Sequence, residues 1–123
     1  VSLRARVAPE YEASFGFVPA GVEQRLTLWE QLDPDFIEHV EAIRRTGTAP
    51  RALDAKTAQL VTFAVLLAQG SAGAKNHALA AQRLGATKEE LAETAVLAYV
   101  QAGLGALNLG AAIVNELFAA ERT

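Results

Sequence analysis

Two histidines, His39 and His77, are the side chains of this 123-residue chain whose ordinary proton affinity lies near neutrality, and the chain has no cysteine. His77 stands in the run Gly70-Ser71-Ala72-Gly73-Ala74-Lys75-Asn76-His77-Ala78-Leu79-Ala80-Ala81. Helical counting puts Gly73 and Ala74 one turn before it, Ala81 one turn after and Leu84 two turns after. The spacing predicts a ring projecting from the inward face, with room beside it. Such an imidazole can take and return a proton. An inward histidine on an alanine-rich helix serves equally well as a satisfied core group, and the residue types alone leave both readings open. His39, in Glu38-His39-Val40-Glu41, reads as a surface or partly buried histidine on a mixed polar helix.

Other chemistries find less support. No His-x-x-x-His, Glu-x-x-His or cysteine pair offers metal ligands on one helical face, so no metal site is expected. Acidic residues are missing between Ala55 and Lys88, so a carboxylate orienting His77 would have to come from elsewhere, for example Glu30, Glu90 or Glu116. Ser71 lies six residues before His77 and reads as a helix cap rather than a nucleophile. The Gly70-Ser71-Ala72-Gly73 segment follows a helix where a phosphate loop would follow a strand. A net charge of −3 and a pI near 5.4 argue against a nucleic-acid partner. The only local basic cluster, Arg44-Arg45 with Arg51, reads as a solvated helix end.

The elements that must carry His77 follow from caps and periodicity. A helix from about Gly21 to Leu32 precedes Asp33-Pro34, a strong start for a second helix running to about Arg45. Residues Thr46 to Arg51 form a loop, and Asp54 caps a helix from Ala55 to about Gln69. That helix is apolar nearly all round and is expected to be central and buried. Ser71 is placed as the cap of the His77 helix, which ends at Gly85, and Thr87-Lys88-Glu89-Glu90 is a capping box opening a helix to about Gln101. Gly103 and Gly105 interrupt the run before a last helix to about Ala120. Thr94, Gln101, Asn108 and Asn115 recur every seven residues, as an amide seam, an exposed stripe, or the wall of a pocket or interface. Small residues at Ala102, Gly103, Gly105, Ala106, Gly110, Ala111 and Ala112 suit close helix packing. No strand-period alternation competes, so an all-α single domain over residues 1–123, of six to seven helices, is expected.

Half of the chain is hydrophobic (51%) with positive mean hydropathy, an excess that reads as subunit interface. The longest apolar stretch, Phe63 to Ala68, falls far short of the roughly 20 residues of a membrane helix. The first residues, Val1-Ser2-Leu3-Arg4-Ala5-Arg6, lack the apolar core of a secretory signal, which sets a cytoplasmic expectation.

The stretch Leu53 to Leu60, the apolar helix, His77 with Ala80-Ala81, Leu84 to Leu91 and the final Ala-Gly-rich helix together resemble the carboxymuconolactone decarboxylase and alkylhydroperoxidase D family over roughly residues 50 to 120. Phe15-Gly16-Phe17-Val18-Pro19 looks like the family's entry segment. The resemblance implies an all-helical fold assembled as homotrimers or homohexamers. Peroxidase members carry a Cys-x-x-Cys pair before the histidine and a glutamate on the preceding helix. Here Gly70 and Gly73 stand where those cysteines would fall and Gln59 lies near the glutamate's position, which rules out thiol-based peroxide reduction. The chain sits closer to the decarboxylase branch, which also lacks the cysteines; Leu97-Ala98-Tyr99-Val100-Gln101-Ala102-Gly103 looks like its corresponding segment.

What the resemblance implies is proton transfer without a cofactor, on a lactone or cyclic carboxylated small molecule. In that reading His77 is the acid/base, Gln59 and Asn76 are polar positioners, Lys75 or Arg51 anchors a substrate carboxylate, and Trp29 and Tyr99 line the pocket. Lys75 and Asn76 adjoin His77 and so do not share its helical face. Two alternatives stand beside it: a tailoring lyase of specialised metabolism, and a non-catalytic ligand-binding or scaffolding oligomer.

Overall fold

A computed structural model describes residues 1–122, with side chains through Ala120. Among the described residues there are seven α-helices and no strand: α1 Leu3–Phe15, α2 Ala20–Leu32, α3 Pro34–Gly47, α4 Ala55–Ala68, α5 Ala74–Arg83, α6 Lys88–Ala102 and α7 Leu104–Leu117. A short 3-10 turn, Ala119–Arg122, follows. The fold is all-α, as expected. The chain divides into two compact units, Val1–Ala52 and Leu53–Thr123.

The first unit holds α1, α2 and α3. The expected helices began at Gly21, so α1 is an addition. Its signal is a four-residue stripe, Leu3, Val7, Tyr11 and Phe15, all buried, behind an N-cap in which the Ser2 hydroxyl accepts from the Ala5 N–H. Pro9 inside the helix, exposed to solvent, disguises that stripe in the sequence. Helix α3 starts as expected, with Asp33 accepting from the Phe36 N–H and Pro34 in the first turn, and runs on to Gly47. Arg44 is not a solvated helix end. It is partly buried, ion-paired to Glu41 and Glu10, and stacked 4.0 Å from the Tyr11 ring centroid, because α1 supplies Glu10 and Tyr11 opposite it. Arg45, exposed, also reaches Glu10.

The second unit packs α4, α5, α6 and α7 around Phe63, Leu67, Leu91, Ile113 and a floor of alanines. Asp54 caps α4, Thr87 and Glu90 close the capping box of α6, and Gly85 ends the α5 segment at φ 98°. One cap differs from expectation: Gly73, not Ser71, occupies the N-cap of α5. The Ser71 hydroxyl accepts from the Gly73 N–H within the preceding turn, so the helix starts later.

Helix α4 is central to this unit but not wholly buried. Its packed face is Phe63 and Leu67, whereas Val61 and Val65 are each 50% exposed, because α5, α6 and α7 cover one side of it. Gly103, at φ 98°, separates α6 from α7 and breaks the seven-residue polar line. Gln101, Asn108 and Asn115 are exposed and the Thr94 hydroxyl donates to the Glu90 carbonyl, which fits the exposed-stripe reading. Close helix approach is real at Gly110, where a Cβ would stand 2.6 Å from Ala95 Cβ. It does not extend to Ala102, Gly103, Gly105, Ala111 and Ala112, which are exposed.

Candidate functional site

His77 is carried by α5 and Gln59 by α4, the neighbouring helix of the same unit. Asp54 fixes where α4 begins and the Gly70–Gly73 turn fixes where α5 begins, so two local capping events set the register that brings these side chains together. The His77 Nδ1 and Gln59 Oε1 atoms lie 2.8 Å apart, a hydrogen bond between half-buried groups. Ala74, Ala78 and Ala81 on α5 are fully buried, while Leu84, expected on the inward line, is exposed because the helix has ended before it. Burial pushes the imidazole below the ordinary histidine range, since the charged form loses hydration there.

Gln59 thus gives His77 a carboxamide from the very helix that carries no carboxylate. The three glutamates considered for that role are engaged elsewhere. Glu30 accepts from the Arg4 backbone N–H, Glu90 closes its capping box and pairs with Lys56, and Glu116 pairs with Lys75. Sequence spacing offers no way to place Gln59, eighteen positions before His77, against the ring. The family resemblance supplied that residue as a positioner.

Lys75 is exposed and its ammonium lies 2.5 Å from Glu116; Asn76 is half-buried on the same turn of α5. Tyr99 is exposed on α6. Trp29 and Arg51 belong to the first unit, where Trp29 packs against Phe36 with ring centroids 4.7 Å apart and Arg51 is exposed in the loop after α3. The described residues bring together His77 and Gln59, and contain no group of three or more potential ligands for a metal ion. A groove of about 400 Å³ opens in the first unit, lined by Ser2, Arg4, Leu26, Thr27, Glu30 and Gln31. None of the expected site residues lines it. His39 is exposed, as expected.

Sequence reasoning missed a buried ionic centre in the first unit. Glu41 on α3 is 1% exposed and receives the Tyr11 hydroxyl at 2.8 Å, Arg44 Nε at 3.0 Å and Arg25 Nη2 at 3.0 Å. Burial alone would raise the Glu41 carboxyl; the hydrogen bonds from Tyr11, Arg44 and Arg25 outweigh it and hold it below the usual range. The Tyr11 phenol is pushed up to about 12, first by burial and then by its bond to Glu41. Three side chains, one from each of three helices, close on one carboxylate, an arrangement that fastens α1 and α2 to α3.

A family model described as the carboxymuconolactone decarboxylase family matches residues 34–116. Comparison with curated proteins and with solved structures finds no match.

Proposed function

Because this chain belongs to the carboxymuconolactone decarboxylase family, we propose that it is a cofactor-independent, non-redox enzyme that decarboxylates or isomerises a lactone or cyclic carboxylated small molecule, with His77 carrying the proton. The observation that supports this reading most is the half-buried His77 held by Gln59 at 2.8 Å. In the decarboxylation of a carboxylated butenolide, the bond from ring carbon to carboxylate breaks and its electron pair runs into the conjugated lactone carbonyl. Carbon dioxide leaves and an extended enolate remains. The His77 imidazolium then gives its proton to carbon and is reprotonated from solvent, so one proton is consumed per turnover. The substrate carbonyl is the electron sink, which is why the chemistry asks for no cofactor.

Asn76, Lys75 and Tyr99 are the proposed substrate contacts of the unit that carries His77. The exposed apolar side chains Val61, Val65, Leu97, Val100 and Leu104 support self-association as a homotrimer or homohexamer, since such a surface is costly to leave in water. Among the described residues no helix is long and apolar enough to cross a membrane.

The same apolar surface also favours a second reading, an oligomer that binds or scaffolds without turnover. Carboxymuconolactone turnover by wild type and by His77→Gln separates the two. The enzyme reading expects turnover that falls about 10²- to 10⁴-fold in the variant. Equal rates in both proteins remove His77 from the mechanism, and an inert wild type removes carboxymuconolactone as the substrate.

A further inference from the structure

We propose that Gln59 is the positioning residue of this site: its carboxamide oxygen holds His77 in the Nδ1–H tautomer and thereby makes Nε2 the atom that exchanges protons with substrate. The inference deepens the reading of His77 as proton carrier and rests on it for its meaning, but not for its test. A carboxamide oxygen is an acceptor only, so the atom facing it across 2.8 Å carries the hydrogen. A neutral imidazole has one N–H, and with that hydrogen on Nδ1 the lone pair belongs to Nε2. The bond survives protonation, because in the imidazolium both nitrogens are donors. Gln59 can therefore hold the ring through the whole cycle while the proton comes and goes at the other nitrogen.

The amide also does something a carboxylate at the same place would not. A carboxylate accepts the same hydrogen but adds a negative charge, which favours the imidazolium and raises its proton affinity. The uncharged Gln59 leaves burial to dominate, and the ring stays a weaker base and a stronger acid than free histidine. A stronger acid delivers its proton to an enolate carbon more readily. The residue thus sets both the geometry and the donor strength of His77, without itself touching the reacting atoms.

The test is nitrogen-15 NMR of the full chain labelled at histidine, which reads the protonation of each ring nitrogen directly. Just two histidines are present, and His39→Gln identifies the His77 signals. Above its titration midpoint, wild-type His77 should show hydrogen on Nδ1. Gln59→Leu should shift the population toward the Nε2–H form that neutral histidine prefers in water. Gln59→Glu, which retains an acceptor, should keep Nδ1–H and move the midpoint to higher pH. Hydrogen on Nε2 in the wild type overturns the proposal, as does an unchanged tautomer in Gln59→Leu or an unchanged midpoint in Gln59→Glu. These readouts need no turnover. If they come out as expected while His77→Gln keeps full activity, the catalytic reading fails and the tautomer assignment stands.

Discussion

Gln59 Oε1 on α4 accepts a hydrogen bond from His77 on α5 across 2.8 Å, joining two half-buried groups that are both uncharged when the ring is neutral. Proton delivery to carbon requires the imidazolium, and burial holds His77 below the ordinary histidine range. The activity, kcat/KM, is therefore expected to fall as pH rises through the His77 value, with its limb on the acid side of a free histidine. Gln59→Glu should displace that limb to higher pH. A pH–rate profile of both proteins, with the two limbs superimposed, would speak against the amide's role.

The buried Glu41 centre predicts a stability effect in the first unit. Removing the charge by Glu41→Gln leaves Arg25 and Arg44 without their buried counter-ion and should cost about 2–4 kcal/mol. Trp29 on α2 is the chain's one tryptophan, so its fluorescence during urea unfolding reads this unit. A loss under about 0.5 kcal/mol, no more than an ordinary surface change, would mean that the centre holds nothing together.

The same centre sets two pH limits, of opposite sign. The folded-state carboxyl of Glu41 is depressed, so its contribution is present above the unfolded value of about 4.3 and is lost as pH falls through the lower folded value. Tyr11 is raised, to about 12, so its contribution is complete below the unfolded value of about 10 and is lost as pH rises through the folded one. Urea midpoints of wild type and Glu41→Gln should converge in acid. Curves that stay parallel down to strongly acid pH would contradict the linkage.

Gly110 on α7 meets α6 and α4 more closely than a side chain allows. An added Cβ would stand 2.6 Å from Ala95 Cβ and 3.3 Å from Leu67 Cδ1. Gly110→Ala should destabilise the second unit by about 1–3 kcal/mol through overpacking, despite alanine's better helix propensity. Ala95→Gly in the same chain should recover part of that loss, a coupling that a double-mutant cycle measures. Additive effects would show that the two positions do not press on each other.

The apolar face of the second unit predicts self-association. Leu97 and Val100 on α6 are 69% and 67% exposed. Sedimentation of the wild type should give a trimer or hexamer, and the double variant Leu97→Glu/Val100→Glu a smaller species. A monomeric wild type would remove the interface reading.

How much of this was legible in the sequence depends on how local each cause is. Capping is local, and the starts of α3, α4 and α6 at Asp33, Asp54 and Thr87 are legible because those side chains bond within three residues. Ser71 misled because its hydroxyl serves the turn two residues on rather than the helix. Helix α1 is harder to read, because Pro9 interrupts a stripe that is otherwise plain at Leu3, Val7, Tyr11 and Phe15. Glu41 and its partners lie up to thirty positions apart, so the burial of that charge follows from how the three helices pack and not from any short motif. The His77 pair is intermediate. The histidine stands out by composition, whereas Gln59 is marked only by the family resemblance and their contact only by the fold.

The central claim is that His77 carries the proton to carbon. Its most direct test is the decarboxylation of a carboxymuconolactone in deuterium oxide, with the product carbon's deuterium located by NMR for wild type and His77→Gln. Delivery from one ring nitrogen fixed in the site places deuterium on a single face of that carbon in the wild type, with the rate falling about 10²- to 10⁴-fold in the variant. Deuterium spread over both faces by the wild type, or a variant that matches its rate and its stereochemistry, would contradict the account.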